Sequence, residues 1–363
     1  MGASTRLPRL AHGLRYGNAC YGDARSVAFV WKRLFGTIPS LIGVIVVTFL
    51  LSHAMPGDPA AYFAGPAANA ASIAEVRAKL GLDQALPIQF VHYIADLVRG
   101  NLGNSLTTGQ PVMTDLVDRL PASLELTFFA LVFAVGLAIP MGVWAATKPD
   151  SLVDHVCRAS VSVAAAFPTF FVGLLLVYIF YFLLNVAPEP VGRLNEILYT
   201  PPPRVTGAYT VDSLIAGDWG VFRASLAQLV LPAISLGLFA LAPIARVTRA
   251  AMLQALGSDF TRTARAAGLP RGKVLVTYAF RNALLPVSNV LGMVFSFLLG
   301  SNVLIEQVFG WQGIGAYAVT AVLASDYAAV QGFVLMMAVL YVLLNLVVDL
   351  LATVIDPRVR FEG

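Results

Sequence analysis

Charged residues are scarce in this chain of 363 residues, of which Asp, Glu, Lys and Arg together make up only 12%. A soluble globular domain is about one quarter charged, so this scarcity argues against an ordinary soluble protein. Hydrophobic residues make up 58% of the chain. The composition therefore predicts a membrane protein.

Cysteine and histidine are also rare: the chain has two cysteines, Cys20 and Cys157, and four scattered histidines. Two isolated cysteines provide neither a disulfide framework nor the ligand spacing of a metal site. The sequence shows no histidine cluster, Ser–Lys pair or paired aspartates that could serve a membrane-integral enzyme. We therefore expect no catalytic residue, no metal and no cofactor bound by this chain itself.

Apolar stretches long enough to cross a bilayer, which takes roughly 20 residues, occur six times. The predicted fold is therefore an all-α membrane protein with six transmembrane helices. Prolines within these stretches suit a packed bundle, in which neighbouring helices satisfy the freed carbonyl groups. The stretches cover about residues 34–54, 123–147, 157–186, 226–251, 284–305 and 328–355.

Basic residues are distributed unevenly between the segments that join these stretches. If the N-terminus is cytoplasmic, 17 of the 24 Lys and Arg residues lie in cytoplasmic segments. This is the positive-inside bias, so we expect both termini in the cytoplasm and attribute the positive net charge to topology rather than to nucleic-acid binding. The 17 residues are Arg6, Arg9, Arg15, Arg25, Lys32, Arg33, Lys148, Arg158, Arg246, Arg249, Arg262, Arg265, Arg271, Lys273, Arg281, Arg358 and Arg360.

This topology predicts two long extracytoplasmic segments, residues 55–122 and 187–225. They form a rim on which an external protein lands, or they only cap the bundle; the sequence leaves both interpretations open. A Gly- and aromatic-rich stretch, Phe309–Tyr317, suits a tight turn near the outer interface or an aromatic belt. The predicted divisions are an N-terminal arm (1–33), a first transmembrane helix (34–54), a loop region (55–122), a five-helix core (123–355) with a cytoplasmic loop at 252–283, and a tail (356–363).

The segment 258–286 is basic, rich in small residues and nearly free of acidic residues. Ser258 or Asp259 can cap a short helix over about residues 261–267, Gly268 ends it, and Pro270 delays its resumption. A second helix is expected from about Arg271 and continues into the fifth apolar stretch.

The two faces of this short helix differ. Arg262 and Arg265 share one face because they are three residues apart. Ala264 and Ala267 form a second, smooth face that lets another surface approach closely. The helix docks into a groove on a soluble partner, or it lies on anionic lipid headgroups; the residues alone do not decide between these two alternatives.

No nucleotide-binding loop accompanies this segment. The nearest candidate, Gly268–Lys273, has three residues between its glycines where the phosphate loop needs four, and Val274 stands where Ser or Thr must bind Mg²⁺. We therefore expect no nucleotide site on this chain.

The segment resembles the cytoplasmic loop of ABC-importer permeases of the dipeptide/oligopeptide family. The similarity extends over about residues 30–360, with further motifs in order, among them PGDP at 56–59, GNLGNSL at 100–106 and FGWQGIGAY at 309–317. The wider superfamily has Glu-Ala-Ala where this chain has Arg262, Thr263 and Ala264, so no role of that Glu transfers. Trp311 and Gln312 replace the more usual Pro-Gly of the outer turn.

The resemblance implies a type I ABC importer permease of the bacterial inner membrane. Such a permease pairs with a second, related permease, with two cytoplasmic ATPase subunits that bind ATP and Mg²⁺, and with an extracytoplasmic solute-binding protein. The solute would be a peptide or a related compound such as a nickel chelate, glutathione or an opine. The residues expected to couple this chain to the ATPases are Asp259, Arg262, Thr263, Ala264, Arg265, Ala267 and Gly268.

Three acidic residues lie near the ends of the apolar stretches: Glu125, Glu306 and Asp349. Charges in such positions are candidates for function, but we favour structural roles, with Glu125 and Glu306 facing water and Asp349 paired with Arg249 or Arg358. The alternative to a permease subunit is a stand-alone secondary transporter or channel, which needs ionisable groups in mid-span. Such groups are almost absent here, and no substrate-contacting residue is identified.

Overall fold

The structure, a computed structural model, describes residues 36, 38–50, 53, 59–65, 68–79 and 81–355, and the side chains of 59, 62, 63 and 349–355 are not among the described parts. The arm 1–33, the tail 356–363, Cys20, most of PGDP and the side chain of Asp349 therefore lie outside the description. Most of the described residues are helical, and no strand occurs among them. The helices are α1 (Ile38–Leu50), α2 (Pro59–Ala64), α3 (Ala70–Lys79), α4 (Leu86–Val98), α5 (Val112–Thr147), α6 (Leu152–Ala164), α7 (Thr169–Leu183), α8 (Tyr209–Ile215), α9 (Trp219–Gly257), α10 (Asp259–Ala266), α11 (Arg271–Val308), α12 (Ile314–Leu323) and α13 (Tyr327–Ile355).

Four of these helices, α5, α9, α11 and α13, are long and apolar enough to cross a membrane. The consecutive helices α6 and α7 pass the same test together, which makes up to five spans among the described residues. The all-α membrane architecture is thus confirmed, whereas the described residues do not establish six spans. The described part of the first predicted span is the shorter apolar helix α1.

The predicted third span is not one straight helix, because α6 and α7 meet at an angle of 94°. Pro168 immediately precedes α7, with φ of −58° and ψ of 140°. A proline disfavours the α conformation of the residue before it, here Phe167, so α6 ends at Ala164 and does not continue into α7, which starts in a new direction. The expectation of a continuous helix over 157–186 was wrong on this point.

Close packing of α5 against α9 forms the centre of the bundle. A Cβ atom added to Gly142 would lie 2.7 Å from Cβ of Thr248, and one added to Gly237 would lie 2.7 Å from the carbonyl oxygen of Ala130. The two helices therefore run parallel and touch backbone to backbone through glycine, as small residues permit in membrane bundles. Helix α11 packs antiparallel to both, with Phe297 stacked on Phe239 at 5.0 Å.

Glu306 is fully buried at one end of this bundle, here called the Glu306 end. Its carboxylate accepts hydrogen bonds from the Ser123 hydroxyl, from the Asn302 amide and, at 2.8 Å, from the Ala316 backbone N–H. It thereby joins α5 and α11 to the N-terminus of α12, where the helix dipole favours negative charge. The structural role is supported, but the expectation that Glu306 faces water was wrong.

The turn before α12 is sealed by a buried tryptophan. Trp311 is 1% exposed, and its indole N–H donates to the Ala122 carbonyl oxygen at 3.0 Å. The tight turn expected at Phe309–Tyr317 is present between α11 and α12. Its tryptophan belongs to the core, so the belt interpretation was wrong for Trp311.

Glu125 is a second buried carboxylate at the Glu306 end. It accepts hydrogen bonds from Arg193 at 2.8 Å and from the backbone N–H and hydroxyl of Thr210 at 2.8 and 2.6 Å. The Arg193 guanidinium also lies 3.7 Å from the ring centroid of Tyr209. The segment before α9 is thus bound to α5 through a buried ion pair, and Glu125 does not face water.

Asp154 forms the corresponding contact at the opposite end, here called the Arg249 end. Arg249 of α9 binds both of its carboxylate oxygens, at 2.7 and 2.6 Å, and Arg158 lies at 3.5 Å. The two-point contact fixes α6 to α9. Asp349 was expected to pair with Arg249 or Arg358; its side chain lies outside the description, and the carboxylate that the structure shows bound to Arg249 is that of Asp154.

The glycine contact between α5 and α9 can be tested with Gly142→Ala. The added methyl group must displace Thr248 or the α9 backbone, so we expect destabilisation of about 1–3 kcal/mol. Gly136→Ala is the matched control on the same helix, because nothing lies within 4 Å of its added Cβ. The measurement is the thermal midpoint of the purified protein in detergent; equal midpoints for the two variants would contradict the packing.

The ion pair between Glu125 and Arg193 yields a second prediction. Glu125→Gln leaves the guanidinium buried without its counter-charge, which costs about 3–5 kcal/mol, and the thermal midpoint should fall clearly. Asp118→Asn on the same helix removes the exposed partner of Arg204, and we expect about 1 kcal/mol or less. A stable Glu125→Gln protein with lost activity would instead make Glu125 a substrate or ion contact.

Candidate functional site

Helix α10 lies at the Arg249 end of the bundle, directly between two long helices. Only Ser258 separates it from α9, and residues 267–270 connect it to α11. The short helix predicted for this segment is therefore confirmed, although it begins at Asp259 rather than near residue 261. Its start follows the end of α9 after this single residue.

The N-terminus of α10 is not capped in the expected way. Ser258 occupies the N-cap position, but its hydroxyl donates back to the Ala255 carbonyl oxygen at 2.6 Å. Asp259 lies in the first helical turn, where a negative charge is favourable, and it faces Arg262 at 3.5 Å. Both side chains of that pair are largely exposed, so the pair contributes little to stability.

One face of α10 is bound to the bundle. Thr261 is fully buried, and its hydroxyl donates to the Ala255 carbonyl oxygen at 2.7 Å. Ala264, on the same face, is 5% exposed. Ala264 and Ala267 therefore do not form one accessible surface: Ala264 packs inside the chain, while Ala267 is exposed. The anchor, Thr261, was not among the predicted site residues.

The other face of α10 is open and mostly polar. Phe260 is 44% exposed on this helix; sequence reasoning missed it, although an aromatic residue in an otherwise small and polar segment was a usable signal. Exposed aromatic and arginine side chains are the residue types that dominate protein interfaces. The exposed members of the predicted site are Asp259, Arg262, Thr263, Arg265, Ala267 and Gly268.

The C-terminus of α10 has the predicted stop. Gly268 has a φ of +76°, a left-handed conformation that favours glycine, and its N–H donates to the Arg265 carbonyl oxygen at 3.0 Å. Helix α11 then starts at Arg271 and passes through a π-helical stretch, Val274–Phe280, into its apolar part. The second predicted helix is thus confirmed as continuous with the long helix.

The electrostatic character of this surface is basic. Arg262, Arg265, Arg271 and Lys273 are exposed here, with Asp259 as an exposed acidic neighbour. Within the described ranges, no group of three or more His, Cys, Asp and Glu side chains could hold a metal ion. The arrangement can bind another protein or an anionic surface.

Comparison with known proteins agrees with this description. The family of binding-protein-dependent transport system inner membrane components matches residues 138–361, and the N-terminal model of such membrane components matches residues 26–127. The probable D,D-dipeptide transport system permease protein DdpB of Escherichia coli (strain K12) is 44% identical, over 92% of this chain and 97% of its own length. The dipeptide transport system permease protein DppB of the same strain is 39% identical, over 92% and 99%. The glutathione transport system permease protein GsiC of Salmonella choleraesuis (strain SC-B67) is 36% identical, again over 92% and 99%.

These matches extend over nearly the whole chain and include the helices that hold α10. Together with the apolar helices of the structure, they describe a multi-pass protein of the bacterial inner membrane, a transport subunit rather than an enzyme. The chain belongs to the family of binding-protein-dependent transport system inner membrane components.

Proposed function

We propose that this chain is a permease subunit of an ATP-driven ABC importer and forms half of the pathway for dipeptides or a related small solute. The family match and the names of the relatives, which include dipeptide and D,D-dipeptide permeases, support this proposal. The relatives also include a glutathione permease. A small peptide-like solute is therefore what the names of these relatives have in common.

The proposed topology has six transmembrane helices and cytoplasmic termini, so that the Arg249 end faces the cytoplasm. Helices α5, α9, α11 and α13 and the bent pair α6–α7 supply five spans, and α1 belongs to the sixth. The basic residues around α10 agree with the positive-inside rule. In this orientation the Glu306 end, with its long connecting segments, faces an extracytoplasmic solute-binding protein.

The observation that supports coupling through α10 is that the helix is attached to the bundle by one face and by both of its ends. Thr261 and Ala264 are buried against the bundle, whereas the opposite face is exposed, and both ends connect to long helices. A partner that moves α10 must therefore move α9 and α11. We infer that two cytoplasmic ATPase subunits, which bind ATP and Mg²⁺, dock on α10 of this chain and on a second, related permease. Closure of the two ATPase subunits then shifts the bundle between inward- and outward-open states.

The buried acids weigh against the alternative, a stand-alone secondary transporter or channel. Glu125 and Glu306 accept several hydrogen bonds each. An ion-coupling site needs a carboxylate that can exchange its partner with the transported ion. Both carboxylates are instead occupied by contacts between helices and connecting segments.

A proline at position 268 tests the coupling proposal. Gly268→Pro cannot adopt the φ of +76° and removes the N–H that closes α10, so we expect solute uptake to be lost while membrane insertion remains normal. Gly272→Ala is the control at the start of α11, because nothing lies within 4 Å of its added Cβ. Unchanged uptake and ATPase stimulation in Gly268→Pro would contradict the role of α10.

Phe260 provides a test of docking that leaves the α10 backbone intact. Removing an aromatic side chain at the centre of an interface costs more than about 1 kcal/mol, so Phe260→Ala should weaken binding of the ATPase subunits at least about fivefold. Phe182→Ala, at another exposed phenylalanine on α7, should bind them normally. The measurement is co-purification and titration of the ATPases; equal affinity in both variants would favour the lipid-facing alternative for α10.

A further inference from the structure

A groove at the Arg249 end is not used by the proposed coupling contact. It lies between α5, α6 and α9, and apolar residues including Met141, Ala145 and Val161 line its wall. Basic residues line the same groove, namely Arg158, Arg246 and Arg249, together with Cys157. The groove therefore combines an apolar wall with a cluster of guanidinium groups.

Among the described residues, the guanidinium groups of this cluster outnumber their acidic neighbours. Asp154 is fully buried and is the carboxylate to which Arg249 and Arg158 are bound. Arg246 is exposed and donates through Nε to the Ala242 carbonyl oxygen at 3.2 Å. Among the described residues its terminal nitrogens have no hydrogen-bond partner. Asp150, an exposed residue, also attracts Arg249 electrostatically. The three guanidinium groups therefore have two acidic neighbours, Asp154 and Asp150, which leaves one positive charge for an external anion.

The position along α9 places these groups near the membrane boundary. Helix α9 has 39 residues and is about 58 Å long at 1.5 Å per residue, which exceeds the hydrocarbon thickness of about 30 Å. If α9 is centred in the bilayer, about 14 Å projects at each end. Arg246 lies about 16 Å from the end of α9, at the level where hydrocarbon meets headgroups.

We propose that this groove binds an anionic phospholipid of the cytoplasmic leaflet. Arg246 and Arg158 bind the headgroup phosphate, and an acyl chain lies along Met141 and Val161. A free phosphate would contact only the guanidinium groups, whereas a phospholipid would contact both the guanidinium groups and the apolar wall. Basic pockets between membrane helices bind lipid headgroups in this way. The assignment of the groove to the cytoplasmic leaflet rests on the topology given under the proposed function. The bound lipid would bridge α6 to α9, the helix that continues into α10.

Cys157 offers a direct reporter, because it lines the groove and the chain has only one other cysteine, Cys20. The full-length Cys20→Ser protein is placed in nanodiscs of phosphatidylcholine alone or with phosphatidylglycerol, and the rate of alkylation by a neutral maleimide is measured. Phosphatidylglycerol should slow the reaction several-fold. One arginine near an anionic surface changes lipid affinity about fivefold. Arg246→Gln should therefore require correspondingly more phosphatidylglycerol for the same protection of Cys157. Arg246→Lys keeps the positive charge and should require a much smaller increase.

Arg223→Gln is the matched control, because Arg223 is exposed at the other end of α9, and it should behave like the parent. Equal protection in Arg246→Gln and the parent, or no protection at all, overturns the proposal. Protection in phosphatidylcholine discs by free glycerol phosphate or by a dipeptide also overturns it, since the groove would then take a small anion or the transported solute. The alkylation measurement requires neither transport nor the ATPase subunits. A negative result would therefore overturn the lipid proposal without contradicting the proposed function.

Discussion

A polar group buried among membrane helices must find its partner inside the protein, because the hydrocarbon offers none. This constraint explains the bundle. Glu306 joins α5, α11 and α12, Glu125 joins α5 to the segment before α9, and Asp154 joins α6 to α9. Each of these three carboxylates is bound by at least one element other than its own, so the contacts that satisfy the charges also fix the positions of the helices.

These contacts lie at the two ends of a centre held by glycine. Gly142 and Gly237 bring α5 and α9 into backbone contact, which leaves little room for one helix to slide past the other. Helix α10 is attached to the end of α9 by Thr261 and continues into α11 beyond Gly268. A force applied to α10 is therefore transmitted to two long helices at once, which is the physical basis for the proposed role as an ABC importer permease.

Local features were predictable from the sequence, and distant pairings were not. The helix at α10, its stop at Gly268 and the continuation from Arg271 follow from local propensity and turn chemistry. Ser123, which binds Glu306, is 183 residues away from it in the sequence, and Arg193, which binds Glu125, is 68 residues away. The periodicity of the sequence could not identify partners at such distances. The side of α10 that is buried was also misjudged, since small residues such as Ala264 suit an exposed interface and a packed one equally well. The presence of a proline did not predict the bend before α7, because prolines inside α5 and α9 leave those helices unbroken.

The central claim is that motion enters this chain from outside it, through α10. The most direct measurement is uptake of a labelled dipeptide into proteoliposomes that contain this chain and its companion permease, with and without the ATPase subunits, with the solute-binding protein and ATP supplied on their respective sides. The account predicts accumulation against a gradient only when the ATPases and ATP are both present. Accumulation by this chain alone would contradict it.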